Sequence, residues 1–158
     1  MTSNDQWDGL AVGFRNSTGM GAPFDAFRAA KNAGFELIPV FGPICVARIG
    51  KQILFDASLP VREQHAAVAR CLAAALLERH RYELTEERIE AQARELMLPR
   101  DEFYGDYLHV DDLDEFDALH PNVPFAWIAD RIEEIERQEL RLSSIVELRP
   151  RRRDEAAL

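Results

Sequence analysis

The segment Val61–His80, VREQHAAVARCLAAALLERH, constrains this fold more than any other part of the chain. It holds neither Gly nor Pro. Val61, His65, Val68, Ala69, Leu72, Ala75 and Leu76 recur at steps of three and four, the repeat of one helix face. The spacing predicts a helix over the whole segment. Its interior is rich in alanine, so a neighbouring element can come close to the helix axis. The flanking residues offer two kinds of neighbour, strands before it and helices after it.

On the upstream side, Pro23 to Ala33 predicts a short helix. Pro is tolerated in its first turn, Phe24, Phe27 and Ala30 line one side, and Gly34 suits the left-handed position past its end. Phe35–Phe41 (FELIPVF), Ile44–Ile49 and Gln52–Phe55 are dense in branched and aromatic residues. Gly42-Pro43 and Gly50-Lys51 separate them, a spacing that predicts a small antiparallel meander. Pro39 places the first strand at an edge or a bulge.

Downstream, Thr85 is an N-cap with Glu86 and Glu87 in the first turn. The helix it opens buries Ile89, Ala93 and Leu96 and stops near Leu98, before Pro99. Residues 101–120 are acidic, with Phe103, Tyr104, Tyr107, Leu113, Phe116 and Leu119 interspersed, and are expected to form a loop and a short helix. Asn122 is expected to cap a last helix with Pro124 in its first turn and Ile128, Ile132 and Ile135 facing the core. Ser143–Leu148 suits a final short strand. The expected fold is α+β: a small antiparallel sheet of about three strands packed with a zincin-like bundle of about four helices. Residues 1–22, which include Gly13, Gly19 and Gly21, read as a loose lead-in, 23–148 as one domain and 149–158 as a basic, disordered tail. A chain of 158 residues is long enough for one domain with a real core.

The formal net charge of -9 disfavours general attraction to nucleic acid or to an anionic membrane. Arg149, Arg151, Arg152 and Arg153 are a local exception. The two cysteines, Cys45 and Cys71, make no disulfide framework, and both sit in apolar runs where a thiol behaves as a small buried hydrophobe. The opening MTSNDQWDG lacks the basic-then-apolar pattern of a signal peptide, and no apolar run approaches the roughly 20 residues of a membrane span. A cytoplasmic location is expected.

Four strings, in order, resemble a known pattern. QILFDASLPVREQ is similar to a last strand, a Leu-Pro break and the start of an active-site helix. AVARCLAAALL matches the hydrophobic spacing of that helix. EAQARELMLPRDEF is similar to a second helix that ends in a Met-Pro type sequence. HPNVPFAWIADRI is similar to a later helix with a His or Asn near its start. Over about residues 24 to 136 the chain resembles the ImmA/IrrE family of bacterial and phage metallopeptidases. The resemblance implies a minimal zinc-peptidase scaffold, whose active members cut or inactivate a helix-turn-helix repressor. In that pattern two His one turn apart and a Glu of the next helix hold zinc, and a Glu beside the first His is general base.

Here the pattern is erased. The His positions hold Arg70 and Ala74, the general-base position holds Cys71, and counting back from Pro99 puts the third ligand at Arg88. An arginine offers no lone pair, and two of them repel a dication. No catalytic residue, zinc or other cofactor is therefore expected. The function expected first is that of a pseudoenzyme acting by protein contact on a helix-turn-helix repressor or a phage, mobile-element or stress module. Arg70, Arg88, Asp111, Asp112 and Asp114 are its candidate contacts, and Glu63, Glu95 or partner carboxylates are the expected ion-pair partners of the two arginines. Two alternatives stand beside it. One is an active metal-dependent peptidase with displaced ligands drawn from His65, His80, Glu87 and Glu90, or a thiol site at Cys71. The other is a DNA-binding pair of helices over 61–98 that would use Arg88, Arg94 and Arg100. His109, beside Asp111 and Asp112, has a spacing that could hold a metal but is expected in a solvated or partner-facing loop, and His120, before Pro121, is expected to help start a helix.

Overall fold

The computed structural model describes residues 10–16, 24–110 and 112–155, with side chains to residue 143. Strand β3 (Gln52–Asp56) is the middle strand of one three-stranded sheet. On one side β1 (Glu36–Val40) runs parallel to it, from Glu36 opposite Gln52 to Val40 opposite Asp56. On the other, β2 (Arg48–Ile49) pairs antiparallel, Arg48 opposite Ile53. The sheet is thus mixed, which corrects the expected antiparallel meander.

The reason lies in residues 41–47. They do not form a strand beside β1 but carry the chain to the far side of β3. Gly50, at a φ of +58° that an L side chain rarely adopts, then turns β2 back into β3. The crossing is pinned by Asp56, whose Oδ1 accepts from the Gly42 amide at 3.2 Å, and by Leu54, whose amide donates to the Ala47 carbonyl at 2.8 Å. Cys45 lies on this crossing and is exposed, not buried as expected. Pro39 does lie on an edge strand, where its missing N–H costs no ladder bond.

Two faces of the long helix α3 (Val61–Arg79) carry the rest of the domain. It packs on β3, on α2 (Ala26–Asn32) and on α4 (Glu86–Met97). Val68, Ala69, Leu72 and Leu76 are buried as the spacing predicts, and Ala66, Cys71, Ala73 and Leu77 are buried besides. Buried positions go beyond one face because α3 is the central helix, sandwiched between sheet and helices. Val61 is exposed, since α3 is covered only after its first turn. Helix α2 starts at Asp25, whose carboxylate accepts the Phe27 and Arg28 amides, and ends at Gly34, with the Phe35 amide closing onto the Ala30 carbonyl at 2.9 Å. At the far end of α3 the amides of Arg81 and Tyr82 close onto Glu78 and Leu77. Arg81 takes the left-handed position, φ +60°, that glycine fills most easily.

The lead-in is more ordered than expected. Residues 10–16 form a helix, α1, with Ala11 and Arg15 buried. The Arg15 guanidinium reaches Glu102 at 3.0 Å and lies over the Phe24 ring. Gly13 and the shortness of the run hide this helix in the sequence. Beyond α4, the acidic region holds two helices, α5 (Arg100–Tyr107) and α6 (Leu113–Leu119), where a loop and one helix were expected. Phe103 and Phe116, ring centroids 4.7 Å apart, join them to the core. Arg62 grips Asp117 through both guanidinium nitrogens and donates to the Val123 carbonyl, tying the start of α3 to α6.

The last helix, α7 (Phe125–Glu155), takes in both the expected strand at Ser143–Leu148 and most of the expected disordered tail. Ile145 and Val146 are locally strand-like, but they extend a helix already nucleated, which costs far less than starting a new element. Pro124 takes the cap position expected of Asn122, its carbonyl accepting from Trp127 and Ile128. After Ile135 the described residues of α7 are exposed. Between α4 and α7 lies a buried ion pair of Glu95 and Arg131, 4% and 2% exposed. Arg131 Nε also donates to the Leu98 carbonyl, and Glu95 Oε1 accepts the Arg100 amide. Among the described residues seven helices and the small sheet give an α+β fold, and no helix is long and apolar enough to cross a membrane.

Candidate functional site

The face shared by α3 and α4 gathers one group of polar side chains. Arg70 on α3 meets Glu90 on α4 through two bonds: Nε donates to Oε2 at 2.6 Å and Nη2 to Oε1 at 3.2 Å. The indole of Trp127, on the first turn of α7, donates Nε1–H to the same Oε1 at 2.7 Å. The Arg70 guanidinium stands 5.3 Å from the centre of the Trp127 ring, so it is held by a fork on one carboxylate and by an aromatic face. The bond to Glu90 holds Arg70 in its protonated form more firmly than usual, and the bond from Arg70 is the chief cause that keeps the Glu90 carboxyl below the usual range. Beside this group opens a groove of about 430 Å³ lined by Arg70, Glu86, Glu87, Ile89 and Glu90.

The structure therefore brings together Arg70, Glu87 and Glu90, and it adds Trp127, which sequence reasoning missed. The signal was present: an aromatic residue one turn into a helix opened by Pro124, within HPNVPFAWIADRI. Other expected members lie elsewhere. Arg88 points away and pairs with Glu83, its Nη1 3.4 Å from the carboxylate. It does not join Arg70, because it lies two residues before Glu90 on α4, about 200° around that helix from the residue that meets Arg70. Glu95 pairs with Arg131 rather than with either of those arginines. Ala74 is half-buried and brings only a methyl group.

His65 faces the other side of α3. It is buried, stacked on Phe27 with centroids 4.4 Å apart, and its Nδ1 is 3.8 Å from Asp25. Burial pushes its pKa down, against the pull of Asp25. His80 is exposed at the end of α3. His120 is buried beside Asp106 at 3.2 Å, with its pKa lowered by burial. His109 folds back on the Gly105 carbonyl at 2.7 Å. Asp112 caps α6 by accepting the Glu115 amide, Asp114 is exposed in that helix's first turn, and Asp111 lies outside the described residues. Arg94 and Arg100, which a DNA-binding reading would use, are within ion-pair reach of Asp130, Glu134 and Glu95.

Cys71 is turned toward the sheet, its Sγ 3.7 Å from the Ala47 carbonyl, and burial raises its pKa. A neutral, covered thiol is a poor nucleophile. With a thiol reagent at pH 8, Cys45 should label first and Cys71 about a hundredfold more slowly until urea is added. Two equally fast thiols, counted by mass spectrometry, would contradict this placement.

A zinc ion suits this donor set badly. Arg70 has no lone pair, both Glu90 oxygens already accept hydrogen bonds, and Cys71 faces away. Among the described residues no three of His, Cys, Asp and Glu converge on a point a metal could fill. No family model, curated protein or solved structure matches the chain.

Proposed function

We propose that this chain is a degenerate ImmA/IrrE-type domain that acts in the cytoplasm by binding another protein, without zinc and without cutting its partner. The observation that carries this reading is the Arg70–Glu90–Trp127 group. It sits on the face where the resemblance would put a zinc-bound water, and it is charge-paired within itself. A zinc-dependent hydrolytic centre needs an open metal position and a free base. This group offers side chains bonded to one another instead.

The sign of the surface supports a partner of opposite charge. Glu86 and Glu87 flank the groove, Asp112, Asp114 and Glu115 are exposed on the α6 side, and the chain carries -9 overall. A helix-turn-helix repressor presents a basic, DNA-facing surface, which complementary carboxylates attract. The partner fitted best by this chemistry is such a repressor, held off its operator by competition with DNA.

The test mixes the purified chain with helix-turn-helix repressors of its own genome. A partner should leave operator DNA in a gel shift, more readily at low salt, and keep its intact mass with or without added zinc. Glu86→Lys with Glu87→Lys should weaken that effect about tenfold. Zinc-dependent repressor fragments, or one tightly held zinc per chain by elemental analysis, would overturn the reading.

A further inference from the structure

A second hollow lies across α3 from Arg70. At about 100° per residue, Leu72, Ala75, Leu76 and Arg79 of its lining fall about 140–240° around α3 from Arg70, and Glu78 about 80°. The hollow measures about 360 Å³ and is open on one side. Its apolar lining comes from three places: Phe14 of α1, Phe35 ahead of β1, and Leu72 and Leu76 of α3. Its charged lining is of mostly one sign. Arg48 and Lys51 come from the β2–β3 hairpin and Arg79 from the last turn of α3, against the single carboxylate of Glu78. Glu78 pairs with Arg48. The Lys51 ammonium stands 4.7 Å from the centre of the Phe35 ring, where cation and apolar wall meet. In a chain of net charge -9, an apolar hollow lined by three cations and one carboxylate is a departure that calls for a ligand of matching shape.

We propose that this hollow binds a small amphipathic monoanion, a carboxylate on an apolar body of about eight to ten carbons. The size follows from the volume: a dry cavity of about 150 Å³ holds benzene, and this one is a little over twice that. The polarity follows from the lining. The apolar body lies against Phe14, Phe35, Leu72 and Leu76, and the carboxylate meets Lys51 and Arg79 at the rim. Arg48 is shared with Glu78 and sets one wall. The ligand can be an alkyl acid or an aryl acid, which present the same chemistry to these residues.

Titration of the full chain at pH 7.5 and low salt tests this by calorimetry and by NMR shifts. Octanoate probes the alkyl source and 4-phenylbutyrate the aryl source, with octanol and inorganic phosphate as single-feature controls. At least one acid should saturate one site at submillimolar concentration. Octanol should bind at least tenfold more weakly, and phosphate should not saturate. Lys51→Glu with Arg79→Glu, both at exposed positions, should weaken the acid about tenfold. Arg79→Gln alone should weaken it severalfold and serves where the double variant misfolds. No saturation by either acid would overturn the proposal. So would octanol binding equal to octanoate, phosphate binding alone, or indifference of a folded charge variant.

Discussion

Replacing Glu95 by Ala should destabilise the protein by about 3–5 kcal/mol. The change removes the buried carboxylate from the guanidinium of Arg131, which is 2% exposed and is left with Glu134, at 2.7 Å, and the Leu98 carbonyl. It also removes the acceptor of the Arg100 amide at the start of α5. The same reasoning makes Arg131→Met costly, because Glu95 is then buried beside an apolar side chain. The pair Glu95→Leu with Arg131→Met removes both charges at once and should recover at least half of either single loss. Urea unfolding of these proteins, with Glu95→Leu alone added to close the cycle, measures this, and the single variants should melt about 10 °C lower. A loss below about 1 kcal/mol for both single changes would mean that water reaches the pair in solution.

Phe103→Ala should cost about 3–5 kcal/mol. Phe103 is 1% exposed and packs its ring, tilted, against Phe116 and His120, so one side chain connects α5, α6 and the turn before α7. Truncation leaves a cavity where three elements meet, and none of them can close it without moving the others. Phe103→Leu keeps most of the volume and should cost under about 1.5 kcal/mol. Urea midpoints, with proteolysis across residues 100–120, separate the two. Equal and small losses would show that α5 and α6 contribute little to the core.

How far the sequence foretold this molecule varied with the range of the interactions. Helices α3 and α4, the Thr85 cap, the stop at Pro99 and the left-handed Gly34 were all legible, because each depends on neighbours a few residues away. The parallel pairing of β1 with β3 was not. Gly42-Pro43 looks the same whether the chain turns back or crosses over, and only packing on α3 decides between them. Helix α1 was too short, and broken by Gly13, to announce itself, and it is held by distant contacts: Ala11 in the core and Arg15 on Glu102. At the candidate site, it was legible that Arg70 and Ala74 bring no metal-ligating atom, since that follows from their side chains alone. The carboxylate that answers Arg70 was not: Glu63 and Glu95 were expected, and Glu90 on the neighbouring helix is the partner. Glu95 was instead claimed by Arg131, whose partner is 36 residues away. Trp127 closed the group from the start of the same helix as Arg131, 37 residues beyond Glu90.

The edges of the sheet bear on how any partner can attach. One edge is β1, where Pro39 interrupts the row of amide donors, and the other is β2, only two residues long. Neither offers the unbroken ladder that strand addition by another chain requires. Association by an added strand, productive or aggregating, is thereby blunted at both ends. Recognition by this protein is left to side chains on its helices and hairpin, and its binding should respond to changes of charge and volume there.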